Sequence, residues 1–211
     1  LIMQGGKDLR LVGLNHIEHA ILNGAAAQPL ALKTLAWFYI SEQINPDNKE
    51  LPPDNPLSRK KTRQNAIGLL IDLDNRYFNK SAPHSHFRGN KELAMMKAIQ
   101  FVLDKNYEKA GHEFKKVLEI SDHLQSRGFQ INPQLVQSVE AGIEFCELML
   151  LQASEEEEKR SACFKVDAQV KFLNGGGSMV EYDSKKIRSE LHAVFSEALE
   201  QMAEKLHCDP V

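Results

Sequence analysis

The sequence predicts an all-α fold, a bundle of antiparallel helix hairpins, and three observations carry that prediction. Apolar residues recur at helical spacing in most of the ordered-looking stretches. Proline, glycine and asparagine fall between those stretches, where helices start and stop. No two alternating apolar runs joined by a hairpin turn are evident, so a sheet is not expected. The clearest case is residues 93–120, LAMMKAIQFVLDKNYEKAGHEFKKVLEI, which reads as two helices folded back across a tight break at Asp104-Lys105-Asn106. Its first helix carries Leu93, Met96, Ala98, Ile99, Val102 and Leu103, and its second Tyr107, Ala110, Gly111, Phe114, Val117, Leu118 and Ser121. Ala110 and Gly111 are small where two helices have to approach closely. A hairpin of this kind cannot bury its apolar faces alone, so it is expected to be one layer of a larger helical assembly.

The other elements follow in order. Leu9, Val12, Gly13, Ile17, Ala20 and Ile21 fall on one face, with Asn23-Gly24 as the stop. Pro29 is tolerated in a first helical turn. The segment it opens, PLALKTLAWFYISEQI, is apolar almost all round and belongs in a core. That helix should end at Asn45-Pro46, before a proline-rich loop, NPDNKELPPDNP, that suits neither helix nor central strand. A further helix is expected from about Pro56, carrying Ala66, Ile67, Leu70, Leu73 and Tyr77. Arg127-Gly128 marks an end, and Asn132-Pro133 reads as an N-cap followed by proline at the first helical position. The helix it opens presents Leu135, Val136, Val139, Ile143, Cys146, Met149 and Leu150. Glu155 to Glu158 is a solvated acidic run. Residues 174–179, NGGGSM, resemble a flexible or engineered linker. The expected organisation is therefore a helical interaction domain over 1–173, a linker over 174–179, and a C-terminal amphipathic helix within 180–211 that packs on the same domain or on a partner. That last helix carries Ile187, Leu191, Val194, Phe195, Ala198, Leu199, Met202 and Leu206.

Bulk properties exclude several classes. A chain of 211 residues buries enough surface to need no staples. A net charge of −3 gives no field for binding nucleic acid, so no direct DNA contact is expected from this chain. The longest apolar run, residues 30–40, is about half a membrane span and contains Lys33 and Thr34. Three cysteines, Cys146, Cys163 and Cys208, are odd in number and widely spaced. They predict no disulfide framework and favour a reducing compartment. The chain opens on Leu1 with no signal-peptide pattern and reads as a piece of a longer one.

Residues capable of chemistry are present without a pattern that assembles them. His16 and His19 lie three apart with no third ligand nearby, so no metal and no cofactor are expected. His84 and His86 read as loop residues, His112 and His123 as helix surface, and Glu18, Glu42 and Glu144 as solvated carboxylates. Gly175–Gly177 lacks the strand before it and the Lys-Ser or Lys-Thr after it that a phosphate loop needs. The cluster Arg59-Lys60-Lys61-Thr62-Arg63 places positive charge near a helix start, where the macrodipole disfavours it and an acidic partner would relieve it.

Three stretches together resemble the TRF-homology domain of the telomere repeat-binding factors. They are residues 5–40, with Leu32-Lys33-Thr34 in an apolar helix; the proline-rich loop leading into NPLSRKKTRQNAIGLLIDL; and the hairpin KAIQFVLDKNYEKAGHEFKKVLE. The C-terminal MVEYDSKKIRSELHAVFSEAL is similar, more loosely, to the closing helix of that family. The resemblance implies a horseshoe of helices that homodimerises and docks short peptides of other telomere-complex proteins, in the nucleus, without enzymatic activity. It places peptide docking at Leu32, at Ala27 where the family has a leucine, and near Leu51 where it has an aromatic. Lys33, Arg59, Lys60 and Lys61 would meet the acidic flanks of the peptide. It places dimerisation on the last helix through Ile187, Leu191, Phe195 and Leu199, and on a first helix shortened here to residues 1–3. Tetratricopeptide-type adaptors share the N-Y-x-x-A hairpin, and a helical adaptor unrelated to telomeres is the alternative expectation.

Overall fold

The computed structural model describes residues 3–4, 7–23, 28–78, 91–151, 156–173, 195–196 and 198–208. Its helices are α1 (Arg10–Asn23), α2 (Gln28–Ile44), α3 (Arg59–Leu73), α4 (Lys91–Leu103), α5 (Tyr107–Ser126), α6 (Pro133–Leu150) and α7 (Glu156–Leu173). Residues 198–206 form an eighth, α8. The fold is all-α, as the helical periodicity requires. One small correction concerns strands: β1 (Met3–Gln4) and β2 (Lys7–Asp8) pair antiparallel, Met3 opposite Asp8. Met3 therefore belongs to a strand pair and not to a shortened first helix. The sequence signal is the Gly-Gly pair at positions 5 and 6, a dipeptide that favours hairpin turns. The chain divides into two compact units, Leu1–Met96 and Lys97–Val211, with the division inside α4.

In the first unit α2 packs against both α1 and α3. Its buried face is Leu32, Leu35, Ala36, Tyr39 and Ile40, while Leu30 and Thr34 look outward. The α1 stripe is rotated from the expected one. Leu14 is its one buried residue, with Arg10, Ile17 and Ile21 half-buried on the same face and Val12 exposed. Pro46–Asn48 forms a 3-10 turn capped by Asn45, whose side chain accepts from the Asp47 backbone N–H at 3.1 Å. Helix α3 begins later than Pro56 suggests, because Ser58 supplies the N-cap by accepting from the Lys61 N–H. Ala66, Leu70, Leu73 and Tyr77 are buried at the expected spacing.

In the second unit the break between α4 and α5 is a Schellman cap. Lys105 adopts φ 57°, its N–H reaches the Val102 carbonyl, and the Asn106 N–H reaches the Phe101 carbonyl, both at 2.8 Å. Asn106 then caps α5 through the Lys109 N–H. The same motif ends α5 at Gly128 (φ 84°) and α8 at His207 (φ 55°). Helix α5 buries Ala110, Phe114, Val117 and Ser121, the stripe read from sequence. It packs on α6, which packs on α7. The α6 stripe is again rotated: Val139 and Cys146 are buried as expected, but Gly142 and Phe145 join them and Leu150 is exposed. The close approach of the two helices is made at Gly142, not Gly111. A Cβ on Gly142 would lie 2.8 Å from the Phe114 ring, which is fully buried and has nowhere to move. A Cβ on Gly111 would meet Cys146 at an ordinary 3.5 Å. Sequence reading also leaves α7 unassigned beyond its acidic start; Ala162, Val166 and Gln169 form its buried line.

Candidate functional site

Among the described residues, those singled out by resemblance differ in exposure. Leu32 is 4 % exposed and belongs to the α2 core, so it offers no surface to a peptide. Lys33 is bound within the chain by Glu92, whose second oxygen accepts from the Trp37 indole at 3.1 Å. Glu92 lies in the first turn of α4, where the helix dipole favours a carboxylate. Leu51 is half-buried in the loop, and Arg59 and Lys60 are exposed in the first turn of α3. Ala27, Ile187 and Leu191 lie outside the described residues, as do His84, His86 and the 174–179 segment. Phe195 and Leu199 are fully buried within the second unit. Phe195 stacks on Phe145 with ring centroids 4.1 Å apart and planes 5° from parallel. The dimer contact expected of these two side chains is replaced by packing inside the chain.

A polar cluster that sequence reading missed lies in the first unit. The Arg10 guanidinium donates to Glu42 Oε2 at 2.7 Å and to Asn48 Oδ1 at 3.1 Å. Asn48, 1 % exposed, donates to the same Glu42 oxygen at 2.6 Å and to the Glu42 carbonyl at 2.9 Å. Glu42 is thus a buried structural carboxylate rather than a solvated one. Its partners lie on α1 and on the turn after α2, too far apart in sequence for any periodic pattern to connect.

Among the described residues, two open grooves lie in the second unit. The first runs between α5 and α6 and encloses about 600 Å³. Tyr107 and Gly111 line it from α5, and Ile143, Cys146 and Leu150 from α6. The missing side chain at Gly111 keeps its floor open. Charges of both signs stand around it, and Lys115 meets Glu147 across it at 3.4 Å. Both of those side chains are more than half exposed, so the pair contributes little to stability. Cys146 is the one thiol in the groove, and burial pushes it up to about 12, with neighbouring Glu147 adding to the shift and Lys115 opposing it. It therefore stays a neutral thiol near pH 7, a packing group and not a nucleophile. Burial also raises the Tyr107 phenol, with Cys146 adding to it.

The second groove, of about 620 Å³, runs between α7 and α8. The half-buried Val170 and Ala203 line it above the buried Val166 and Leu199, and Phe164, 74 % exposed, stands beside them. Asp167, Glu200 and Glu204 are its charged lining residues. A Cys163–Cys208 disulfide joins the two walls, with Cα atoms 5.5 Å apart. This pairing corrects the expectation that the cysteines stay unpaired, and with it the reason for inferring a reducing compartment. A separation of 45 residues leaves no spacing signature for a sequence to display.

Among the described residues no three of His, Cys, Asp and Glu converge as a metal site, and His16 and His19 are exposed on α1. No described helix is long and apolar enough to cross a membrane. Compared with models of known protein families, with curated proteins and with solved structures, the chain matches nothing.

Proposed function

We propose that this protein is a non-enzymatic helical interaction module that docks a short apolar-anchored peptide of a partner in the α5–α6 groove. The observation that carries the reading is the makeup of that groove: an open apolar channel whose only thiol is held neutral. Its volume falls within the roughly 300–1,000 Å³ typical of sites that take small groups, enough for a few side chains and far too little for a globular domain. Leu150, 52 % exposed at the edge, is a ready apolar contact, and charges of both signs around the channel suit a peptide with mixed flanks. The exposed Arg59-Lys60-Lys61 cluster on α3 is a separate surface for acidic groups.

The partner class comes from the sequence resemblance to the TRF-homology domain: peptides of a telomere-capping complex, with the chain acting in the nucleus as a homodimer. Disulfides are uncommon in nuclear proteins, so the Cys163–Cys208 bond makes the compartment a test of that part. The antiparallel packing of α5 on α6 equally suits a tetratricopeptide-like adaptor that docks peptides without telomeres, and the contact mechanism is the same.

Selection from a displayed peptide library against the whole chain tests the docking step. Enriched peptides should share an apolar anchor, and Leu150→Glu should weaken their binding by about tenfold or more, with the circular dichroism unchanged. Binding indifferent to that change removes the groove from the function. Recovery of the chain with telomere-repeat chromatin from nuclei tests the telomeric part separately; its absence leaves the general adaptor.

A further inference from the structure

We propose that the α7–α8 groove is a second docking surface, and that its occupant is a cationic amphipathic helix of another protein. The carboxylates of Asp167, Glu200 and Glu204 line it, and among the described residues no lysine, arginine or histidine does. An apolar channel whose charged lining is all of one sign repels anionic partners and draws a segment that carries lysine or arginine beside its apolar stripe. Single exposed apolar side chains are ordinary on protein surfaces. Phe164 differs because it stands beside the half-buried Val170 and Ala203 along the same groove. The line Ala162, Val166 and Gln169 is already committed to the interior, so the exposure of Phe164 is not needed to seat α7.

The walls are also fixed before any partner arrives. Cys163 bonds Cys208, and Cys208 is held by the cap that ends α8, its N–H donating to the Ala203 carbonyl at 3.0 Å. A groove whose two sides are tied together loses less freedom on binding than one built from loosely packed helices. The surface is distinct from the α5–α6 groove and shares none of its lining residues.

The test uses the whole chain, disulfide intact, and a fluorescent peptide of about 18 residues, some five helical turns, in which leucine forms one face and lysine the other. Fluorescence anisotropy should show binding that weakens as salt rises. The matching leucine–glutamate peptide should not bind. Phe164→Ser should weaken binding about tenfold, and Glu200→Lys with Glu204→Lys by at least as much. Both changes are at exposed positions, so the helical circular dichroism should persist. Leu150→Glu should leave this affinity unchanged, which separates the surface from the peptide groove. Equal binding of the leucine–glutamate peptide, or affinity indifferent to the charge reversal, overturns the proposal. So does a doubled mass in sedimentation that Phe164→Ser abolishes, because a second copy of the chain then covers the groove.

Discussion

The two units both seat helices on apolar cores, and they differ in what is added to those cores. In the first, polar side chains tie helices together: Arg10 and Asn48 close on Glu42, while Lys33 and Trp37 close on Glu92. In the second, apolar and covalent ties lead, with Phe114 against Gly142, Phe145 stacked on Phe195 and Cys163 bonded to Cys208, and one part-buried polar tie joins them, Gln169 donating to Glu144 at 2.8 Å. A polar clamp is directional and sets the register of helices whose own stripes are weak, as in α1. An apolar interlock depends on volume, and it leaves the outer faces of its helices free to form grooves.

Three experiments would sharpen or break that contrast. The largest effect should come from the disulfide. Closing a loop of 45 residues stabilises by about 4 kcal/mol through lost chain entropy. Cys163→Ser with Cys208→Ser should therefore lower the denaturation midpoint sharply, and the added hydrogen exchange should fall in α7 and α8 while α2 keeps its protection. Equal loss in both units would make the division meaningless for stability. Next, Glu42→Ala takes the carboxylate from Arg10 and one acceptor from the buried Asn48, which should cost about 3 kcal/mol. A urea titration that moves by less than a third of that would reduce the clamp to a surface pair. The smallest effect is a difference between two glycines. Gly142→Ala forces a methyl into the Phe114 ring and should destabilise by about 1–3 kcal/mol, offset in part by the better helix propensity of alanine. Gly111→Ala meets only an ordinary contact and should be neutral or stabilising by up to about 1 kcal/mol. Melting temperatures in the reverse order would move the helix–helix contact back to Gly111, where the sequence alone places it.

The contrast also explains what was legible beforehand. Helix α5 was read residue by residue because one apolar stripe and one partner helix decide its face. Caps were legible too: Asn106, Arg127-Gly128 and Asn132-Pro133 act locally, within a few residues of the termini they close. Helix α1 was misread because apolar residues surround it, and its buried face is chosen by Arg10 reaching Glu42 rather than by hydrophobicity. Helix α6 was misread for a related reason. Gly142 contributes nothing to an apolar count, yet it decides which side of α6 can meet Phe114. The grooves were not legible at all, since each is made by two helices whose facing residues are distant along the chain.

The buried Cys146 has one practical consequence. A thiol held neutral and covered ignores alkylating reagents while α5 and α6 stay together, and with the other two cysteines oxidised it is the sole free sulfhydryl of the chain. Its rate of modification is therefore a built-in clock for the parting of those helices, readable in native solution from the mass that the alkylating group adds, with no reporter engineered into the protein.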